Sequence, residues 1–133
     1  MAPTERHDNV LLWRLSSMRG AEVTDAAFAP DPDFDLTEFA KRAFGVFQER
    51  PFQVALRFTP NAAPDAAAFL FHPDQRVLHH DDGSLTVHFR AGGAVEMCWH
   101  LFTWGEEVAI ERPDRLRRRM AELCAALAAH HAP

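Results

Sequence analysis

The sequence predicts an α+β domain, an antiparallel sheet with helices on one face, and three observations carry that expectation. From Phe52 onward the apolar pattern switches between period two and period 3.6 in the order strand, helix, strand, strand, helix, strand, helix. Glycines and prolines at Pro51, Pro64, Gly92-Gly93, Gly105 and Pro113 mark the junctions. Asp82-Gly83 lies between two β-rich runs, which is a strong hairpin signal. This order is that of the split βαβ, or ferredoxin-like, arrangement, with the first and third strands expected at the centre.

Taken in order, residues 1–8 are polar and expected to fray. Val10 to Leu15 (VLLWRL) is a strand candidate, Ser16 to Gly20 a turn, and Ala21 to Phe28 a second extended segment. Two strands alone are marginal in water, so this region needs another surface to pack on. The run APDPDFD reads as a linker. A helix is then expected from Leu36 to about Phe44, with Asp35 as N-cap, Glu38 completing a capping box and Gly45 as the stop. Its apolar stripe is Leu36, Phe39, Ala40 and Ala43.

Phe52 to Phe58 alternates, placing Phe52, Val54, Leu56 and Phe58 on one side and Gln53, Ala55 and Arg57 on the other. Asn61 to Leu70 is alanine-rich, with Pro64 in a first helical turn. The hairpin runs from Gln75 to Arg90. If Asp82 and Gly83 form a two-residue turn, His79 faces Thr86, Leu78 faces Val87 and Val77 faces His88. Leu78, His80, Val87 and Phe89 then share a core face, and Gln75, Val77, His79, Thr86, His88 and Arg90 share an open one. Ala94 to Trp104 reads as a helix, and Glu106 to Glu111 as the last strand with Val108 and Ile110 facing in. A final helix opens at Pro113 and runs to about Ala129, lined by Leu116, Met120, Leu123, Cys124 and Leu127. The domains expected are 1–30, 31–51 as linker and short helix, and 52–133.

Composition narrows the function classes. The 133 residues are 47% hydrophobic and 25% charged, the ordinary range for a globular protein. A net charge of −5 argues against wholesale duplex binding, where a basic surface dominates affinity. Cys98 and Cys124 lack metal-ligand spacing and read as a reduced, buried pair. No apolar run approaches the roughly 20 residues that span a bilayer, and MAPTERHDN has no signal-peptide character. A cytoplasmic protein is expected.

Several of these segments together resemble a known family. FDLTEFAKRAFGVF, VALRF, FHPDQ, DDGS, FTWG and VAIERPDRLRRRM, in this order and spacing, resemble the C-terminal part of WYL-domain transcriptional regulators, over about Leu15 to Leu127. In that family a winged helix-turn-helix binds DNA, a small Sm-like barrel, the WYL domain, senses a ligand, and a ferredoxin-like extension called WCX follows. The resemblance implies that Phe52 to Leu127 is WCX-like and that Val10 to Phe28 is the last piece of a WYL barrel. The helix-turn-helix and the Trp-Tyr-Leu strand are not in this chain. The family's closing barrel strand resembles Phe-Arg-Leu-Asp-Arg-Ile; here WRLSSM keeps Arg14 but has Ser17 at the second arginine position.

The candidate chemistry is that of binding. His79 and His88, with Gln53, Arg57, Glu107 and Glu111, are expected on the open face, which is either solvated, covered by a partner, or a shallow anion site. Arg57 and Arg90 would supply planar forks for phosphate or carboxylate, and histidines could add pH sensitivity. Adjacent His79-His80 point to opposite faces and His130-His131 lie at the terminus, so no metal site is expected. Arg115, Arg117, Arg118 and Arg119 form a basic helix face, either solvated or a nucleic-acid contact, and Trp13 beside Arg14 is a similar pairing. Trp99, Leu101, Phe102 and Trp104 read as packing, with His100 at a boundary. Ser84 lies in a turn without a nucleophile elbow, and neither cysteine has an evident activating base, so no enzyme and no cofactor are expected.

The expectation is a non-enzymatic effector-sensing or dimerisation module of a WYL-type regulator, working by population shift. It would act as a homodimer or against the WYL domain of another chain. A nucleotide or single-stranded nucleic acid is a possible effector; membrane association and specific duplex binding by this chain alone are not expected. The alternatives are a stand-alone interaction protein that modulates a full-length regulator, and a small-molecule- or nucleotide-binding ferredoxin-like domain.

Overall fold

The computed structural model describes residues 2–4 and 7–132. They form two compact units, Met1–Phe34 and Asp35–Pro133.

The first unit is a small antiparallel ladder of β1 (Ala2–Thr4) and β2 (His7–Leu11), with Thr4 opposite His7 and Ala2 opposite Leu11. A single 3-10 turn follows at Leu15–Ser17. Three expectations fail here. Strand structure lies in the polar stretch expected to fray, and β2 stops at Leu11. The stretch expected as a second strand, Ala21 to Phe28, has no regular structure. An extended segment becomes a strand only when another backbone pairs with it, and no described residue pairs with this one. Leu15, Val23 and Phe28 are consequently exposed.

The second unit opens with α1 (Leu36–Lys41). The Asp35 carboxylate caps it as expected, accepting from the backbone N–H of Thr37 at 2.8 Å and of Glu38 at 3.1 Å. Glu38 pairs with Lys41 at 3.1 Å. The helix ends before the predicted Phe44 because the chain then joins the main body: Phe44 N–H donates to the Gly92 carbonyl at 3.0 Å, and Gly92 N–H to the Arg42 carbonyl at 2.8 Å. Two carboxylates fasten the following segment. Glu96 accepts from Val46 and Phe47 N–H, both at 3.0 Å. Glu49 accepts from Gly93 and Ala94 N–H, at 3.2 and 3.1 Å. The approach is so close that a Cβ on Gly92 would sit 2.5 Å from the Glu49 carbonyl oxygen.

The rest is β3 (Phe52–Phe58), α2 (Ala63–Ala68), β4 (Arg76–His79), β5 (Leu85–Ala91), α3 (Ala94–Phe102), β6 (Val108–Arg112) and α4 (Asp114–His130). Element order and type agree with the sequence pattern throughout this block. The strands form one antiparallel sheet in the order β4-β5-β3-β6, so its first and third strands are central. The described residues are thus α+β, with a four-stranded antiparallel sheet and four α-helices. One face of the sheet, carrying Val54, Leu56, Phe58, Leu85, Val87, Phe89 and Ile110, makes the core with Ala66, Met97, Leu101 and Leu116 of the helices.

The hairpin departs from its expected register. The turn holds three residues, 81–83: Gly83 N–H donates to the His80 carbonyl at 3.0 Å, and His80 N–H to the Ser84 carbonyl at 2.9 Å. A two-residue Asp-Gly turn needs positive φ at both positions. Here Gly83 has φ +82°, and no described non-glycine residue has positive φ. Arg76 is therefore opposite His88, Val77 opposite Val87, Leu78 opposite Thr86 and His79 opposite Leu85. A shift of one residue moves every β4 side chain to the other face. Val77 and His79 belong to the core side, and Arg76 and Leu78 to the open side, the reverse of the expectation.

An aromatic cluster closes one side of the core. Phe58 meets Trp104 edge-on at 4.9 Å and Phe71 at 5.4 Å between centroids. Phe69 stacks on His100 at 4.9 Å. Trp104 Nε1–H donates to His100 Nε2 at 3.2 Å, which requires a neutral ring, and burial holds His100 below the ordinary histidine value. The His72 ring is held at both nitrogens: Nδ1 accepts from Asp74 N–H at 3.1 Å, and Nε2 donates to the Lys41 carbonyl at 2.7 Å. Of the side chains read as packing, Trp104 and Leu101 join this core, whereas Trp99 and Phe102 are more than half exposed.

Gly83→Ala should lower stability by about 1–2 kcal/mol, because a Cβ is disfavoured at this backbone conformation. Gly83→Asn should lower it less, with urea unfolding as the readout; two equal losses would contradict the turn geometry. The unfolded chain binds more protons than the native one as pH falls below about 6.5, the ordinary histidine value. Stability should therefore decline on acidification from there towards the lower folded value of His100, whose imidazole is packed against the rings of Phe44, Phe69, Phe71 and Trp104. The drop in urea midpoint between pH 7.5 and 5.5 should be smaller in His100→Phe; an unchanged drop would assign it to other groups.

Candidate functional site

The open face of the sheet is built by register. One row crosses all four strands: Arg76 on β4, His88 on β5, Ala55 on β3 and Arg112 on β6. Arg112 reaches this row because a bulge on β6 shifts the pairing between Ala55 and Leu56. In the next row Gln53 faces Arg90 across the central strands. Ala55 and Thr86 are 2% and 1% exposed and form the floor beneath the longer side chains. Thr86 Oγ1 lies 2.7 Å from His80 Nε2.

The charges on this face are not equally available. Arg57, a candidate from sequence, is matched by Asp82 at 2.8 Å and Glu111 at 3.7 Å. Asp82 also accepts from the backbone N–H and hydroxyl of Ser84. These Ser84 bonds first, and Arg57 second, pull its carboxyl down to about 2. Arg76, Arg90 and Arg112, by contrast, have no carboxylate at ion-pair distance among the described residues. They border two clefts that share Gln53 and His88. One, of about 500 Å³, is lined by Gln53, Asp74, Arg76, His88, Phe89 and Arg90. The other, of about 400 Å³, is lined by Gln53, Val54, Ala55, His88, Glu111 and Arg112.

Of the residues singled out in the sequence, the fold brings His88 and Arg90 together here and commits Arg57 to its two carboxylates. His79 is opposite Leu85, on the core side of an edge strand, and so does not neighbour His88 on this face. Glu107, also expected here, instead accepts from Thr59 Oγ1 and, at 2.9 Å, from Asn61 Nδ2. These bonds hold its carboxyl below the usual range. Arg14 belongs to the first unit and is exposed. Arg76 and Arg112 were missed. The first was legible only from the three-residue turn; the second depends on a bulge that leaves no pattern in the sequence.

The basic helix face is largely engaged locally. Arg115 lies over the Phe52 ring at 3.9 Å, Arg117 pairs with Asp114 at 2.7 Å, and Arg119 pairs with Glu122 at 3.4 Å. Between α3 and α4, Cys98, Trp99, Phe102, Met120, Leu123 and Leu127 line an apolar groove of about 280 Å³. Cys98 is buried, and burial pushes its thiol up. Among the described residues no three histidine, cysteine or acidic side chains converge as a metal set, and no helix is long and apolar enough to cross a membrane.

No curated protein matches the chain at a significant level. A family model does: the WCX domain, the C-terminal extension of WYL regulators, matches residues 50–128, the stretch that carries the sheet, three of its helices and the open face. That match covers more than half of the sequence, and the chain belongs to the WCX domain family.

Proposed function

We propose that this chain is a regulatory module of a WYL-type transcription regulator, and that it senses an effector and pairs with a second copy rather than catalysing a reaction. Membership of the WCX family over residues 50–128 carries the reading. The strand order β4-β5-β3-β6 and the helices packed on one face support a ferredoxin-like assignment for the second unit. The effector would meet the open face, where three arginines have no carboxylate at ion-pair distance among the described residues. Pairing would use the α3/α4 groove, whose Trp99 and Phe102 are 58% and 53% exposed, because apolar surface of this kind gains most from being covered.

A non-enzymatic role is supported by the state of the possible nucleophiles. The Ser84 hydroxyl is held by Asp82, and the Cys98 thiol is buried with its proton retained. Binding of effector to one arrangement of the module would shift the populations of the assembled regulator. A second reading, a stand-alone interaction protein, is favoured by Leu15 and Phe28, which are 82% and 84% exposed in the first unit. Such a segment would pack on a partner regulator.

By light scattering the purified chain should run as a dimer, and Trp99→Glu with Phe102→Glu should make it monomeric with an unchanged far-UV spectrum. When the chain is produced in its own host, transcript levels of a defined gene set should change, and the monomeric variant should lose that effect. A wild-type monomer that leaves transcripts unaltered would contradict the proposal.

A further inference from the structure

The open face carries more information about its ligand than its sign of charge. Arg76 and Arg112 stand on the two edge strands of one row, three strand spacings apart, or roughly 14 Å between backbones. Arg90 lies between those edges, on β5. The clefts meet at Gln53 and His88, whose amide and imidazole can hydrogen-bond neutral hydroxyl groups. The floor at Ala55 and Thr86 is made of small, buried side chains. Two carboxylates border the clefts: Glu111 is engaged by Arg57, and Asp74 is the acid that an anionic ligand must avoid.

The face also lacks the large aromatic rings on which a nucleobase stacks best. Its side chains are Gln53, Ala55, Arg57, Arg76, Leu78, His80, Thr86, His88, Arg90, Ala109, Glu111 and Arg112, none of them phenylalanine or tryptophan. Phe89 borders the larger cleft, but it is 4% exposed and stacked on His72 and Phe44 on the core side. Single-strand binding draws much of its energy from bases stacked on exposed aromatic rings, and this surface offers only the small imidazoles of His80 and His88. Charge and hydroxyl recognition remain.

From this geometry we infer that the open face binds a small hydroxylated molecule with a phosphate group at each end, the class of a sugar bisphosphate. Arg76 takes one phosphate, Arg112 the other, Arg90 reinforces the hold from the central strand, and Gln53 and His88 meet the hydroxylated middle. Guanidinium forks match phosphate oxygens in pairs, so each end is held by charge-assisted hydrogen bonds. This inference rests on the open face being the effector surface; it does not depend on the α3/α4 groove, so the binding and dimer measurements fail separately.

Isothermal titration of the full chain at moderate salt, with fructose 1,6-bisphosphate as probe, tests it. The bisphosphate should bind about tenfold or more tightly than glucose 6-phosphate, since one extra charge-assisted contact is of that order. Arg76→Gln and Arg112→Gln should each bring the bisphosphate to the affinity of the monophosphate. Arg118→Gln, which removes the same charge from α4, should leave binding within about twofold, the effect expected of a distant exposed charge. No saturable binding, equal affinity for the two sugars, equal losses in all three variants, or tighter binding of an eight-residue oligothymidylate would each overturn the inference.

Discussion

The hairpin turn at 81–83 is the constraint on which the useful surface depends. Gly83 supplies the left-handed position within the turn, and Asp82 ties the turn together by accepting from Ser84 and from Arg57 on a strand of the same sheet. With three residues in the turn, Arg76 comes to the open face beside His88; with two, it would point to the core side and Val77 would take its place. An exchange of arginine for valine at that point would dissolve the charged row. A short turn thus decides the chemistry of a surface across the whole sheet.

How far the sequence could be read follows from the range of the forces involved. Short-range signals were legible: the alternation of Phe52 to Phe58, the Asp35 cap, Pro64 in the first turn of α2 and the apolar stripe of α4 all correspond to observed elements. Long-range ones were not. Asp-Asp-Gly is compatible with two turn lengths, and Arg57, which engages Asp82 from 25 residues away, is invisible in a local reading. The same holds for Glu49 and Glu96, whose bonds span 44 to 50 residues and fasten the segment after α1 to the start of α3. For Ala21 to Phe28, β propensity was present but a pairing strand was not, and propensity alone does not make a strand. For the site, His88 and Arg90 could be placed from alternation, while Arg76 needed the register and Arg112 the bulge.

The two surfaces of the second unit divide the proposed work. Core packing ties α2, α3 and α4 to one face of the sheet, so the other face is held rigidly by a buried scaffold. Arginines on a rigid sheet need little ordering when an anion arrives, which favours recognition by spacing. The α3/α4 groove lies on the helical side of that scaffold and is apolar where the open face is charged. Effector and partner would then bind to opposite sides of one packed layer. Any coupling between them would pass through the core rather than through direct contact.

Cross-strand nuclear Overhauser contacts in the hairpin test this account most directly, because they report the register itself. The account predicts backbone contacts pairing Val77 with Val87 and Arg76 with His88. Contacts pairing Val77 with His88 and Leu78 with Val87 would show a two-residue turn, return Arg76 to the core side and contradict the charged row on which the proposed site is built.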